Sequence, residues 1–360
     1  MAEFEAIFVD VGEGDSTLFK LPGDQYMLVD VFRCEDHGTV DLHRLLDDRL
    51  PMGSSGKPRL EYLVITHAHD DHIRGLGELY DRYEVGELWL PQHGYKKAPG
   101  DQYSEFERVV KAHPDSATEY PQGSRTPWTS IGEGGQVSVR CFSPPGYINV
   151  SEKLDEDEAT RLVHENCMVL KVEYRGHSVL LTGDSNLPCW QRVHGYYEGR
   201  TGDDGLEVLK TTVLHASHHG SRTFVKDRKE DAAWVEALEV IDQEVVVVSV
   251  GKDNKHDHPH DDMMRVYRDQ VSDGNVLETQ REETLVFSVD ANGTASGPAT
   301  DESFASQYGW QDDDEDDQGG DARSGPGGPG GGGGLKTNAP PVPPARPRPR
   351  PEPDRGRNYG

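Results

Sequence analysis

His67-Ala68-His69-Asp70-Asp71-His72 places five potential metal-ligating side chains within six residues, at a junction between two kinds of secondary structure. The run before it, Leu60-Glu61-Tyr62-Leu63-Val64-Ile65-Thr66, is apolar and β-branched enough for a buried strand. After it, Ile73-Arg74-Gly75-Leu76-Gly77-Glu78-Leu79 resumes with helical apolar spacing. Residues two apart at an extended strand end point the same way, so His67 and His69 can share one ion. Asp71 and His72 face elsewhere and can hold a second. Imidazole and carboxylate together suit zinc and similar divalent ions. A lone histidine is most often a surface or core residue, but three histidines and two aspartates in one strand-to-helix turn are poorly explained as a solvated polar loop.

Outward from this turn, Phe4 to Val11, Asp15 to Lys20 and Tyr26 to Val31 read as strands, joined in part by the turn Leu21-Pro22-Gly23-Asp24. Val40 to Leu50 has helical spacing, Glu84 to Leu90 reads as a strand and Ser104 to Ala112 as a helix. Pro114 to Thr160 is rich in Gly, Pro, Ser and acids and reads largely as loops around the rim of a site, with a strand at Gln136 to Phe142. Cys167 to Tyr174 and His177 to Thr182 form a hairpin about Arg175-Gly176, and Thr211 to His215 is a short strand. Asp231 to Leu238 is expected to be a helix, Glu244 to Val250 a buried strand, Met263 to Val271 a helix and Leu285 to Val289 the closing strand.

Four further blocks accompany the turn: Phe8-Val9-Asp10-Val11-Gly12-Glu13-Gly14-Asp15-Ser16, Leu180-Leu181-Thr182-Gly183-Asp184-Ser185, Leu214-His215-Ala216-Ser217-His218-His219-Gly220-Ser221 and Val248-Ser249-Val250-Gly251-Lys252-Asp253-Asn254-Lys255-His256-Asp257-His258-Pro259. Together the five resemble the metallo-β-lactamase superfamily, and within it the soluble hydrolase domain of the ComEC family of competence proteins. The resemblance runs in family order from residue 4 to residue 290. It implies an α/β fold, the αββα sandwich, with two divalent metal ions, Zn²⁺ by default and Mn²⁺ as the other candidate. By resemblance His67, His69, Asp71, His72, Asp184 and His218 are the metal ligands, Asp184 bridging, with His218 preferred over His219. His164, twenty residues before Asp184, leaves two alternatives open: a third histidine for the first metal, or an ordinary rim residue. Asp71 and His258 are the candidate catalytic groups, Asp71 orienting the nucleophile and His258 binding phosphate or protonating a leaving oxygen. Asp10, Asp15, His219, Ser221, Lys252 and Asn254 are candidates for substrate contact or for orienting the ligands, and Thr66 is a further candidate to orient a histidine.

The implied activity is a phosphodiesterase or nuclease on DNA or RNA, working through a water activated by two metals. A hydrolase of a small cyclic nucleotide, or of another small ester or amide, is the second reading. A partner-binding component of a multi-protein system, recruited through its tail, is the third. A formal charge of −28 argues against broad nucleic-acid affinity. The folded part carries most of it, with 54 acids against 30 bases on residues 1–300, a net of −24. Basic residues Arg74, Lys96, Lys97, Arg222, Lys226, Arg228, Lys229, Lys252 and Lys255 nonetheless fall near the motifs and could rim the site.

Residues 1–295 are expected to form the hydrolase domain. Residues 296–360 read as a disordered tail: the acidic block Asp312 to Asp317, a Gly/Pro run from Gly325 to Gly334 and a Pro/Arg run from Pro340 to Pro353 cannot bury enough apolar surface to offset ordering. The longest apolar run, Val245 to Val250, is too short to cross a bilayer, which departs from the ComEC arrangement of a hydrolase accompanying a membrane channel. The chain opens on a strand rather than a secretion signal, so a cytoplasmic protein is expected. Cys34, Cys141, Cys167 and Cys189 lack paired spacing and read as reduced thiols.

Overall fold

Alternation along the first strand, Ala2–Phe8, sorts its side chains to two faces and so sets the layers. Phe4, Ala6 and Phe8 point into one apolar cluster while Ile7, and Val9 just beyond, point into another. The computed structural model describes residues 2–310, except 36–37, 92, 95–100, 124–127, 147, 150–153, 203–204, 253 and 272. The chain divides into a unit of Met1–Asp312 and a unit of Asp313–Gly360, the second wholly outside the described residues. The acidic, Gly/Pro and Pro/Arg runs expected to form the tail therefore lie outside them.

Two sheets face one another. The first has eight strands, in the order 295–300, 285–290, 2–8, 17–21, 25–29, 59–64, 84–89 and 118–119. The second has seven: 276–278, 245–248, 213–215, 177–181, 169–174, 137–143 and 129–131. Between the sheets pack Phe4, Phe8, Phe19 and Met27 from one and Leu170, Val172, Val179 and Val213 from the other. On the outer face of the first sheet Ile7, Leu18, Leu28 and Leu63 meet Leu45, Leu46, Leu76 and Leu79 from helices. On the outer face of the second, Leu180, Leu214 and Val246 meet Trp190, Val193, Leu238 and Tyr267. Each such side chain contributes roughly 1.5–3 kcal/mol on burial, and three stacked cores produce the αββα layering.

The site's location follows from connectivity. Parallel neighbours need a crossover, and each is supplied by a helix on the outer face. Helix Leu42–Arg49 lies between strands Gln25–Val29 and Arg59–Val64, and Leu76–Arg82 between Arg59–Val64 and Glu84–Trp89. In the second sheet Leu187–Tyr197, Glu236–Ile241 and Asp261–Gln270 link strands His177–Leu181, Val213–His215, Val245–Val248 and Val276–Glu278. All these strands run the same way within their sheet, so the loops leaving their carboxyl ends gather along one edge, where open α/β sheets bind ligands.

Several elements differ from the expectation. Glu156–Glu165, which begins within the stretch read as rim loops, is a helix capped by Asp155, whose side chain accepts from the Glu158 amide. Leu187–Tyr197 is a helix that periodicity obscured, although Asn186 caps it and Pro188 sits in its first turn. The expected helix from Asp231 begins only at Glu236. The folded unit also continues past residue 295, through strand Ala295–Thr300 and helix Ser303–Tyr308. Phe304 and Tyr308 of that helix are buried, and Arg44 holds its end by donating to the carbonyls of Gln307 and Gly309. The polar composition of 296–310 hid these anchors. Cys141, Cys167 and Cys189 are buried, Cys34 is half-buried, and none of the four forms a disulfide among the described residues. Among the described residues no helix is long and apolar enough to cross a membrane.

Candidate metal centre

Where strand Gln25–Val29 ends, Asp30 turns into the left-handed region with φ 60° and buries its carboxylate beneath the next strand's exit. Three donors reach it: the Thr66 amide and hydroxyl, each at 2.7 Å, and His72 Nδ1 at 2.8 Å. Thr66 Oγ1, having donated to Asp30, lies 3.2 Å from His67 Nδ1 and can accept from it. One carboxylate thus orients His72 directly and His67 through Thr66. In both rings the far nitrogen is committed, and Nε2 is buried without a hydrogen-bond partner.

Asp184 enters from the second sheet after strand His177–Leu181. Gly183 makes the entry, with φ 47° and no room for a side chain: a Cβ there would stand 2.5 Å from Cys167 Sγ and 2.9 Å from Thr66 Oγ1. The buried Cys167 sulfur accepts the Asp184 amide at 3.3 Å. Asp184 Oδ2 then lies 3.7 Å from His67 Nε2, 3.5 Å from His164 Nε2 and 3.5 Å from His218 Nε2. Oδ1 lies 3.1 Å from His72 Nε2 and 3.9 Å from His219 Nε2.

The histidine pair owes its arrangement to two consecutive left-handed residues, His218 at φ 51° and His219 at φ 52°. This tight turn sends the rings to different places. His219 is buried, its Nδ1 donates to the Ser249 carbonyl at 2.9 Å, and its Nε2 reaches Asp71 Oδ2 at 3.4 Å. His218 is held at Nδ1 by Thr223 Oγ1 and borders His164, ring centroids 4.5 Å apart.

Among the described residues three groups have donor atoms within 4.8 Å of one another: two that share Asp184, namely His67, His69, His164 and Asp184, and Asp71, His72, His219 and Asp184, and a third of Asp15, Asp30 and His72, in which Asp30 orients His72 as above. Burial would strip the proton from His72, but Asp184, Asp30 and Asp71 outweigh it and hold the ring well above its usual range. Burial likewise works against charge on Asp184, yet His218, His72 and His67 keep it well below the ordinary carboxylate range. Such concentrated negative charge, ringed by imidazole nitrogens whose far sides are already bonded, fits divalent cations. The buried Nε2 atoms of His67, His72 and His219 and Oδ1 of Asp184 make no hydrogen bond of good geometry, although His72 Nε2 and Asp184 Oδ1 stand 3.1 Å apart, and each belongs to one of the groups that share Asp184. The donors suit zinc, manganese or iron and do not select among them.

Of the expected residues, His69, Asp71, His164, Asp184, His218, His219, Asn254 and His258 line one cavity of about 340 Å³, and His67 and His72 join them through the groups that share Asp184. The fold seats His219, not the preferred His218, in the second group, with His218 beside the first. His164, at the carboxyl-terminal end of helix Glu156–Glu165, joins the first group, its Nε2 3.0 Å from His69 Nδ1. Burial, then His218 and His219, hold His258 down to about 3, so its ring is neutral. Asn254 binds the Gly251 and His258 carbonyls and accepts the His256 and His258 amides, so it shapes the loop that carries His258. Ser221 is buried and bonded to Thr223, and Lys252 is exposed.

Neither Asp10 nor Asp15 touches a grouped histidine's far nitrogen. Asp10 accepts the Gly12 amide at 3.4 Å, and burial raises it to about 6. Asp15 pairs with His215 at 3.3 Å; burial pushes its carboxyl up, but His215 outweighs this and holds it at about 2. Its amide donates to the Asp71 carbonyl at 3.0 Å, which ties the N-terminal block to the metal loop through the backbone. Arg74 and Lys255 line the cavity, Arg74 with its Nε donating to Asp70 at 3.0 Å, whereas Arg222 and Lys226 are drawn to Asp262 at 3.1 and 2.7 Å. Lys96 and Lys97 lie outside the described residues.

Asp30, Thr223, Ser249 and His215 were not singled out from the sequence. Asp30 shares one signal with Asp184, an aspartate closing a run of apolar strand residues, here Met27-Leu28-Val29. Asp30→Ala is expected to weaken metal binding by about 10–100-fold, since it releases both His72 and Thr66. Competition against a chelator with known affinity measures this; unchanged affinity would reduce Asp30 to a structural residue.

A family model described as Metallo-beta-lactamase superfamily matches residues 9–241. A curated relative, ComE operon protein 3 of Bacillus subtilis (strain 168), is 24% identical over 304 residues, covering 81% of this chain but 33% of the relative's own length. Solved structures with a similar fold include the metallo-beta-lactamase fold protein YhfI from Bacillus subtilis, with 12% identity, TM-score 0.42 and coverage of 76% of this chain and 95% of that one. The diiron beta-hydroxylase CmlA from Streptomyces venezuelae shows 14% identity, TM-score 0.46 and coverage of 80% and 55%. Zn²⁺-bound PqqB from Methylobacterium extorquens shows 12% identity, TM-score 0.43 and coverage of 76% and 87%.

Proposed function

Because the chain belongs to the metallo-beta-lactamase superfamily, we propose that its two groups of histidine and aspartate hold two divalent ions and that the protein is a metal-dependent phosphodiesterase cleaving DNA or RNA. The observation that carries the reading is Asp184, whose two carboxylate oxygens face different histidine groups. His67, His69 and His164 would hold one ion, Asp71, His72 and His219 the other, and Asp184 both. The ions would supply Lewis acidity, acidifying water and offsetting charge on phosphoryl oxygens. Zn²⁺ is the default for these donors, with Mn²⁺ the other candidate.

The chain's own residues complete the work. Asp71 lines the cavity and is acceptor-only when ionised, so it orients a water by taking its hydrogen bond. The neutral His258 ring on the cavity wall offers an N–H to a phosphoryl oxygen, a binding role rather than that of an acid. Lys255 and Arg74 contribute positive charge at the rim. The likeness to ComE operon protein 3 and the order of the five sequence blocks favour a nucleic-acid substrate. A small cyclic nucleotide is the second reading, favoured by the confined 340 Å³ cavity within an acidic body.

The test is incubation of chelator-treated protein with linear and circular DNA, RNA and cyclic nucleotides, before and after addition of Zn²⁺ or Mn²⁺. Cleavage of polynucleotide that disappears on chelation and returns with metal is the expected result. Turnover of cyclic nucleotides alone would install the second reading, and cleavage of none with metal bound would remove both.

A further inference from the structure

Beside the metal cavity lies a larger one of about 750 Å³ that the proposed chemistry does not use. Glu13, Phe32, Arg74 and Lys255 line both, so the two spaces share a wall. Two hydrogen bonds tie that wall together: the Arg33 amide donates to the Arg74 carbonyl at 3.0 Å, and the Lys255 amide to the Glu13 side chain at Oε1, at 3.1 Å.

The polar groups are sorted along this path. On the shared wall stand the cations Arg74, paired with Asp70 and 4.7 Å above the Phe32 ring, and Lys255, beside the acid Glu13. The larger cavity alone is lined by Glu35, Glu78 and Glu105 and by Gln102 from helix Asp101–Ala112, whose Oε1 accepts the Gly75 amide at 3.4 Å. Among them Arg33 lies over Trp310 at 5.0 Å, its guanidinium held by Glu78 at 2.8 Å and Glu35 at 3.5 Å. Its Nε is buried without a hydrogen-bond partner. A guanidinium braced in this way, with Trp310 against one face, keeps its other face for stacking, and its rotamer freedom is already spent.

Cations first and acceptors with a flat stacking surface beyond is the order of groups in a nucleotide: phosphate, then a sugar and base bearing hydrogen-bond donors. Glu35 and Glu78 share the one cation Arg33, and Glu105 pairs with Arg108, so among the described residues beyond the shared wall the larger space offers a polyanion no cation left to pair, whereas a neutral nucleoside needs none. We propose that the larger cavity is a nucleoside subsite, holding the sugar and base on one side of the cleaved phosphodiester, with Arg33 and Gln102 as specificity-determining residues. This rests on the phosphodiesterase reading and deepens it: the preferred substrate carries a nucleoside next to the cleaved bond.

The full chain loaded with metal is assayed on a dinucleotide and on bis(p-nitrophenyl) phosphate, a diester without a nucleoside. The native protein should favour the dinucleotide in kcat/KM. Arg33→Ala and Gln102→Ala should each lower that preference by about 10-fold, mainly through KM, the size of one lost stacking or hydrogen-bond contact, while hydrolysis of the nitrophenyl ester is unchanged. Equal losses on both substrates, or no loss on the dinucleotide, overturn the subsite and leave the phosphodiesterase reading in place. If neither diester is cleaved, that reading fails, and calorimetric binding of the dinucleotide to the same three proteins decides the subsite. Equal affinity for all three overturns it, and weaker binding by both variants upholds it.

Discussion

Asp184→Ala is expected to strip metal from both groups at once and to lower turnover at least about 10³-fold, which corresponds to roughly 4 kcal/mol of transition-state stabilisation. The size of the effect follows from geometry. Oδ2 serves the side of His67 and His164, Oδ1 that of His72, and among the described residues no other carboxylate belongs to both groups. The side chain is buried behind Gly183 and Cys167, and the neighbouring acid Asp71 belongs to the second group alone. Metal content by atomic emission, with far-UV circular dichroism to confirm folding, makes the measurement. A folded variant that keeps two metals and its turnover would end the shared-ligand reading.

The second large effect concerns stability. Gly14→Ala should destabilise the protein by about 1–3 kcal/mol or more, because overpacking at this site has nowhere to relax. A Cβ at position 14 would stand 2.1 Å from the Phe32 ring and 2.5 Å from the Asp71 carbonyl oxygen. The first is a buried side chain and the second is backbone of the metal loop, so yielding displaces Asp71 and breaks the adjacent Asp15 to Asp71 bond. Weaker metal binding should accompany the fall in melting temperature. Gly195→Ala is the control: it lies in helix Leu187–Tyr197, and a Cβ added there would meet no atom within 4 Å. Alanine at that position should raise stability by about 0.5–1 kcal/mol. Equal melting temperatures for Gly14→Ala and the native protein would show that the N-terminal block does not brace the metal loop.

The order of layers was legible because burial leaves a period in the chain. Phe4, Ala6 and Phe8 alternate with Ile7 and Val9, and the apolar runs before Asp184 and after Glu244 announce buried parallel strands. Helix Leu187–Tyr197 was harder to read, since its evidence lies in capping by Asn186 and in Pro188 rather than in a long apolar stripe. The folded unit's extension to Trp310 was hidden for a related reason: it is anchored by a few contacts, Phe304, Tyr308 and the Arg44 clamp, within polar sequence.

What the amino-acid sequence determined by itself was the inventory of the candidate site, because the pattern of potential ligands is local: His67, His69, Asp71 and His72 share one turn, and the Asp184 and His218-His219 blocks carry their own strand exits. Only the tertiary structure decided the partition. Whether His164 joins His69, whether His219 or His218 meets Asp71, and that Asp30 rather than Asp10 or Asp15 steers His72 all depend on atoms far apart in the chain. The reason is geometric: a few ångströms and the direction of one ring nitrogen separate a grouped histidine from its neighbour, and both are set where loops from two sheets meet.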